Sequence, residues 1–154
     1  MLVEVKIGAL IMDPNTNNPI VVLKGVDSES ILPIWVGAYE ANAIALEIEK
    51  IVPQRPMTHD LLRNLILEVG LKILRVIIND LRDNTFYALI EMSDEKGNTI
   101  TLDARPSDAI ALALRLDSAI FVEQNVLDIS ASSQTETETE ETAQTPEDWP
   151  DLIG

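Results

Sequence analysis

Apolar and polar positions follow each other along this chain in segments of clearly different period. Residues 2–12 combine alternation at Val3, Val5 and Ile7 with an unbroken apolar run from Ala9 to Met12, the pattern of a long strand entering a core. Asp13-Pro14-Asn15-Thr16-Asn17-Asn18-Pro19 is dense in turn formers, and Ile20 to Leu23 returns as a second strand, which predicts an antiparallel hairpin. After a turn over 26–30, residues 31–36 form a third strand. Pro33 cannot donate to a ladder, so that strand belongs at an edge or at a bulge.

From 38 to 51 the period changes. Ala41, Ile44, Ala45, Ile48 and Ile51 recur at helical spacing, with Glu40, Glu47, Glu49 and Lys50 on the other face. Val52-Pro53-Gln54-Arg55-Pro56 breaks the chain, and Thr58 is a suitable N-cap for a second helix carrying Leu61, Leu62, Leu65, Ile66 and Val69. Asp60 sits in its first turn, where the helix dipole favours a carboxylate, and Gly70 is a natural C-terminal stop. Residues 71–78, 85–92 and 99–102 read as three further strands joined by hairpin-length connections at 79–84 and 93–98. Pro106 suits the first position of a third helix ending near Leu116, which is apolar all round from Ala109 to Leu114 and is expected to be the most buried. Residues 120–122 make a last short strand. The order predicts an α+β fold: one domain whose antiparallel-rich, strongly curved sheet carries about three helices.

Charge divides the chain. Of 154 residues, 26 are acidic and 11 basic, a net charge of −15. Seven of the acids and none of the bases lie beyond residue 128. The Thr/Glu alternation of 135–142 has nothing to pack, so the domain is expected over 1–128 and an acidic tail over 129–154, disordered through 148. Trp149-Pro150-Asp151-Leu152-Ile153 reads either as a short docking motif, through which the tail would meet a protein partner, or as an end with no such role. Hydrophobic residues at 46% suffice for a core, and aromatics at 4% make it aliphatic. The apolar runs fall short of the roughly 20 residues of a membrane helix, and the start does not resemble a signal peptide, so the expectation is a cytoplasmic protein with no membrane association.

Composition also restricts the chemistry. With no cysteine there is no disulfide, thiolate nucleophile, cysteine-bound zinc or iron–sulfur cluster. The single histidine, His59, excludes a centre that needs two imidazoles from one chain, so His59-Asp60 is not the metal-binding pair of the HD phosphohydrolases. The glycines are scattered and form no phosphate loop, so no organic cofactor is indicated. Two polar clusters stand out: Arg55-Pro56-Met57-Thr58-His59-Asp60 opens the second helix, and Asp103-Ala104-Arg105-Pro106-Ser107-Asp108 opens the third. Free N–H groups at a helix start bind anions, and the same residue types cap helices, so both readings are open. Asp103 and Asp108, with Asp60 or Glu40, have the oxygen ligands that Mg²⁺ or Mn²⁺ prefers.

Four segments together carry a resemblance. They are Leu32-Pro33-Ile34-Trp35-Val36-Gly37 with Glu40-Ala41 and Ala43-Ile44; Arg55 to Leu61; Asp83-Asn84-Thr85-Phe86-Tyr87-Ala88; and Asp103 to Arg115. In this order and over about 1–128 the chain resembles the bifunctional nuclease domain family. The resemblance implies nuclease activity on DNA and RNA. The expected function is then metal-assisted phosphodiester hydrolysis. Asp103 and Asp108 would hold the metal, Arg105 would neutralise phosphate charge, and His59 with Asp60 would move protons. Arg55, Thr58, Ser107, Trp35 and Glu40 are the remaining candidates for binding. The alternative is a non-enzymatic binding or regulatory domain whose helix starts hold a protein partner or a small anion. An edge strand and an aliphatic surface leave a homo-oligomer open.

Overall fold

The computed structural model describes residues 1–140, with side chains described through residue 133. Among the described residues the elements run β1 (Leu2–Met12), β2 (Pro19–Gly25), β3 (Ile31–Trp35), α1 (Ala38–Ile48), α2 (Thr58–Glu68), β4 (Lys72–Arg82), β5 (Thr85–Ser93), β6 (Thr99–Ala104), α3 (Pro106–Arg115), β7 (Ile120–Glu123) and α4 (Gln124–Glu140). Each element read from the pattern is present. The 79–84 connection is shorter than its composition suggested. β4 continues to Arg82, and Asp83 and Asn84 alone turn the chain at φ of 51° and 60°. Two left-handed residues match the twist of a two-residue hairpin, and Asp and Asn tolerate that region.

The strands form one open mixed sheet in the order β3-β2-β1-β7-β4-β5-β6. Two antiparallel meanders, β1–β2–β3 and β4–β5–β6, are joined by β7, which pairs antiparallel to β1 and parallel to β4. The expectation of an antiparallel, strongly curved sheet with about three helices is corrected on two points. The β4–β7 pairing is parallel, because β1 and β4 run in opposite directions on either side of β7, which can therefore be antiparallel to only one of them. There is also a fourth helix. Val126, Leu127 and Ser130 give α4 a buried stripe at helical spacing, so residues 129–140 are helical where disorder was expected. The rest of the expected tail, Trp149 to Ile153 included, lies outside the described residues.

Each meander is followed by a helix, and α1 packs on α3. Val21, Leu23, Val76, Ile78 and Ile90 from the sheet meet Ile44, Ile110 and Leu112 from these helices in an aliphatic core. α3 is buried on almost every side, as its all-round apolar sequence predicts. Pro33 lies on the edge strand β3 opposite Val22. Glu40 and Asp108 are each the third residue of their helix, so the paired starts of α1 and α3 bring two first-turn carboxylates to one end of the domain. α2 differs from both. Asp60 is its one buried residue, while Leu61, Leu62 and Leu65 are exposed, as is Val69 just beyond it.

Candidate functional site

A cavity of about 1000 Å³ opens between α2 and the β5–β6 end of the sheet. Its body is apolar, walled by Leu62, Leu65, Val69, Ile90, Met92 and Leu102. Its polar rim comes from three helix starts and the end of β6: Glu40 from α1, Thr58 and His59 from α2, Asp103, Arg105, and Asp108 from α3.

These rim groups are linked through Asp108. His59 Nε2 lies 2.8 Å from Asp108 Oδ1, and Arg105 Nε donates to Asp108 Oδ2 at 2.9 Å. The other arm of Arg105, Nη2, donates to Glu40 Oε1 at 2.9 Å. Burial pushes the Asp108 carboxyl up, but the hydrogen bonds from His59 and Arg105 and the guanidinium charge outweigh it, holding the group below the usual carboxylate value. The same contacts to Asp108 and Glu40 raise the Arg105 guanidinium further above neutrality. The residue is a fixed cation, with 68% of its side chain exposed. An ionised Asp108 requires the proton on His59 Nε2, and among the described residues Nδ1 has no hydrogen-bond partner.

Asp60 lies apart from this chain of contacts. Its Oδ1 accepts from Arg115 Nε at 2.9 Å and its Oδ2 from the Met57 amide at 3.0 Å. Burial raises the Asp60 carboxyl, and the Met57 N–H and Arg115 outweigh it, so it too is held below its ordinary value. Arg115 also donates to the backbone oxygens of Ala111 and Ala43 at 3.0 Å, tying α1, α2 and α3 together. Arg115 gives little sign in the sequence, because an arginine closing a helix ordinarily sits in solvent; the six apolar residues that precede it, Ala109 to Leu114, are the available signal. Arg105 pairs with Asp108 and Glu40, not with Asp60 or with Asp103, its neighbours in the two polar clusters. Thr58 is the first residue of α2 rather than its cap, because the Asp60 carboxylate takes the amide at the helix start.

The remaining candidates separate. Asp103 is exposed on the rim and has no side-chain partner among the described residues. Trp35 donates to Asp13 Oδ2 at 3.0 Å, a bond that lowers the Asp13 carboxyl and stitches the first hairpin to β3, away from the cavity. Arg55 is exposed and Ser107 buried, and neither lines the cavity.

A family model for the bifunctional nuclease domain matches residues 21–135, a span that holds every rim residue and runs well into α4. The chain belongs to the bifunctional nuclease domain family. Two uncharacterized proteins of Mycobacterium tuberculosis, strains CDC 1551 / Oshkosh and ATCC 25618 / H37Rv, are each 41% identical over 124 residues, covering 80% of this chain and 73% of theirs. Bifunctional nuclease 2 of Oryza sativa subsp. japonica is 30% identical over 111 residues, covering 70% of this chain and 34% of the rice protein.

A divalent metal is a poor fit to this family member's rim as it stands. No three His, Asp or Glu residues gather into a metal-holding set among the described residues. Both oxygens of Asp108 are engaged and Glu40 is paired with Arg105, which leaves Asp103 as the open carboxylate. No helix among the described residues is long and apolar enough to cross a membrane.

Proposed function

We propose that the chain cleaves phosphodiester bonds of DNA or RNA at the rim of this cavity, with His59 and Arg105 as the working groups and Asp108 as the residue that joins them. The observation that carries the reading is the double engagement of Asp108, 2.8 Å from His59 and 2.9 Å from Arg105. Family membership and the rice relative's name support it. By accepting from Nε2, Asp108 fixes the tautomer whose Nδ1 is free to take a proton from water or from a ribose hydroxyl. Arg105 turns its uncommitted N–H groups toward the phosphate, where negative charge grows as the bond breaks. Asp60 serves the fold. Mg²⁺ or Mn²⁺ would find Asp103 open, and to use Asp108 as well it would have to displace Arg105.

The test is cleavage of labelled single-stranded DNA and RNA in Mg²⁺, Mn²⁺ or EDTA by wild type, His59→Asn and Asp108→Ala, purified identically. Loss of about 10²–10⁴-fold in both variants is the expected result. Equal residual cleavage in all three would identify a contaminant and remove the enzymatic reading. A second reading, a binding domain without catalysis, is favoured by one feature: the rim sets Glu40, Asp103 and Asp108 against one arginine, a poor match to a phosphate chain. Retained binding of a protein ligand without cleavage would support it.

A further inference from the structure

Two features beside the rim are unexplained by phosphodiester chemistry, and both concern surface that a monomer leaves uncovered. α2 turns Leu61, Leu62 and Leu65 outward, 63%, 38% and 55% exposed, and Val69 follows at 60%. β6 ends the sheet, with no strand on its outer side among the described residues. Ile100 and Leu102 on β6 are 41% and 52% exposed although their partners on β5, Met92 and Ile90, are buried. The opposite edge is blunted by Pro33. β6 has no proline, lysine or bulge along Thr99–Ala104, the devices that normally prevent strands from pairing between chains.

From these observations we infer that a second copy of this chain docks here, β6 to β6, with the apolar faces of the two α2 helices closing over the junction. A two-fold axis perpendicular to the sheet keeps each face of β6 on the same side, so it must pass through a residue rather than between two. Centred on Thr101 or Leu102, it pairs Ile100 with Leu102 or with Ala104 on the helix side. Asp103 then falls opposite Thr99 or Thr101, never opposite its own copy. The six apolar side chains named above expose on the order of 600 Å² per protomer, or roughly 1,200 Å² for the pair before the strand backbone is counted, which reaches the range of specific interfaces. The apolar body of the cavity is thereby filled with protein, and the His59–Asp108–Arg105 rim stays open at its mouth.

Sedimentation velocity on the full chain between about 1 and 100 µM tests this without any substrate, so the result does not depend on the nuclease reading. Wild type is expected to be a dimer. Leu102→Lys and Leu65→Lys, both at exposed positions, are expected to raise the dimer Kd at least about a hundredfold with unchanged far-UV circular dichroism, since each change enters a symmetric interface twice. Leu74→Lys, an exposed leucine on β4 outside this face, is expected to change nothing. Because the chain has no cysteine, Thr101→Cys and Leu102→Cys add a direct check, and one of them should cross-link two copies on mild oxidation. A wild-type monomer at 100 µM, an assembly indifferent to both folded lysine variants, or failure of both cysteines to cross-link would overturn the inference.

Discussion

Removing the Asp60 carboxylate isolates a buried charge, and its cost follows from the geometry. The Arg115 side chain is 1% exposed, and Asp60 is its near carboxylate; the next, Glu47, stands at 4.0 Å. Breaking a buried ion pair by deleting one partner costs about 3–5 kcal/mol. Glu47 and the two backbone oxygens that remain on Arg115 place Asp60→Ala at the lower end, about 3 kcal/mol. For a chain of this size that is a fall in Tm of roughly 6–12 °C. The measurement is urea unfolding followed by circular dichroism at fixed protein concentration, with an unchanged m-value as the sign that stability alone has moved. Arg115→Met with Asp60→Ala should cost less than the sum of the two single changes, because the orphaned charge is gone. A loss under about 1 kcal/mol for Asp60→Ala, or strict additivity in the double variant, would refute the claim that this pair fastens α2 to the rest of the domain. pH gives a second reading of the same contact. The folded Asp60 carboxyl lies below the ordinary carboxylate value, so its contribution is present above the unfolded value and is lost as pH falls through the lower folded one. Wild type should therefore lose stability below about pH 4 more steeply than Asp60→Asn, which has no such proton to gain.

Three other outcomes follow from the same contacts. Asp103→Asn should strengthen single-stranded DNA binding by roughly two- to fivefold at low salt, an effect that shrinks as salt rises, because an unpartnered negative charge leaves the rim; a nuclease that instead loses all Mg²⁺-dependent activity would make Asp103 a metal ligand. Val126→Ala should cost about 2 kcal/mol in urea unfolding, since Val126 is fully buried, and a neutral result would detach α4 from the core. Asn84→Val should destabilise the β4–β5 hairpin by about 1–2 kcal/mol, because a β-branched residue resists φ near 60°, whereas Asn84→Gly should be tolerated within about 0.5 kcal/mol.

Local pattern determined most of the element list. Alternation at Val3, Val5 and Ile7, helical spacing from Ala41 to Ile51, proline at the start of α3 and glycine after α2 act through neighbours in sequence, so they are legible without a fold. Pro33 even indicated an edge, since its missing N–H acts wherever the strand lies. The serine- and threonine-rich part of α4, from Ser130 onward, escaped because its helix is held by Val126 and Leu127 in the core, a contact that composition does not contain. β7 is legible as a strand, yet its place between β1 and β4 is a choice among partners that four residues cannot express.

The site divides in the same way. Chemical type and helix-start position marked His59, Asp60, Arg105 and Asp108 as a group. Tertiary structure then separated them, because one first-turn carboxylate faces a buried arginine and the other faces the cavity. Asp60 and Asp108 hold equivalent places at the starts of their helices and read alike in the chain. Whether such a carboxylate fastens a helix or orients a histidine depends on the groups that packing brings within 3 Å of it, and the deciding ones, Arg115 for Asp60 and His59 for Asp108, come from 55 and 49 positions away.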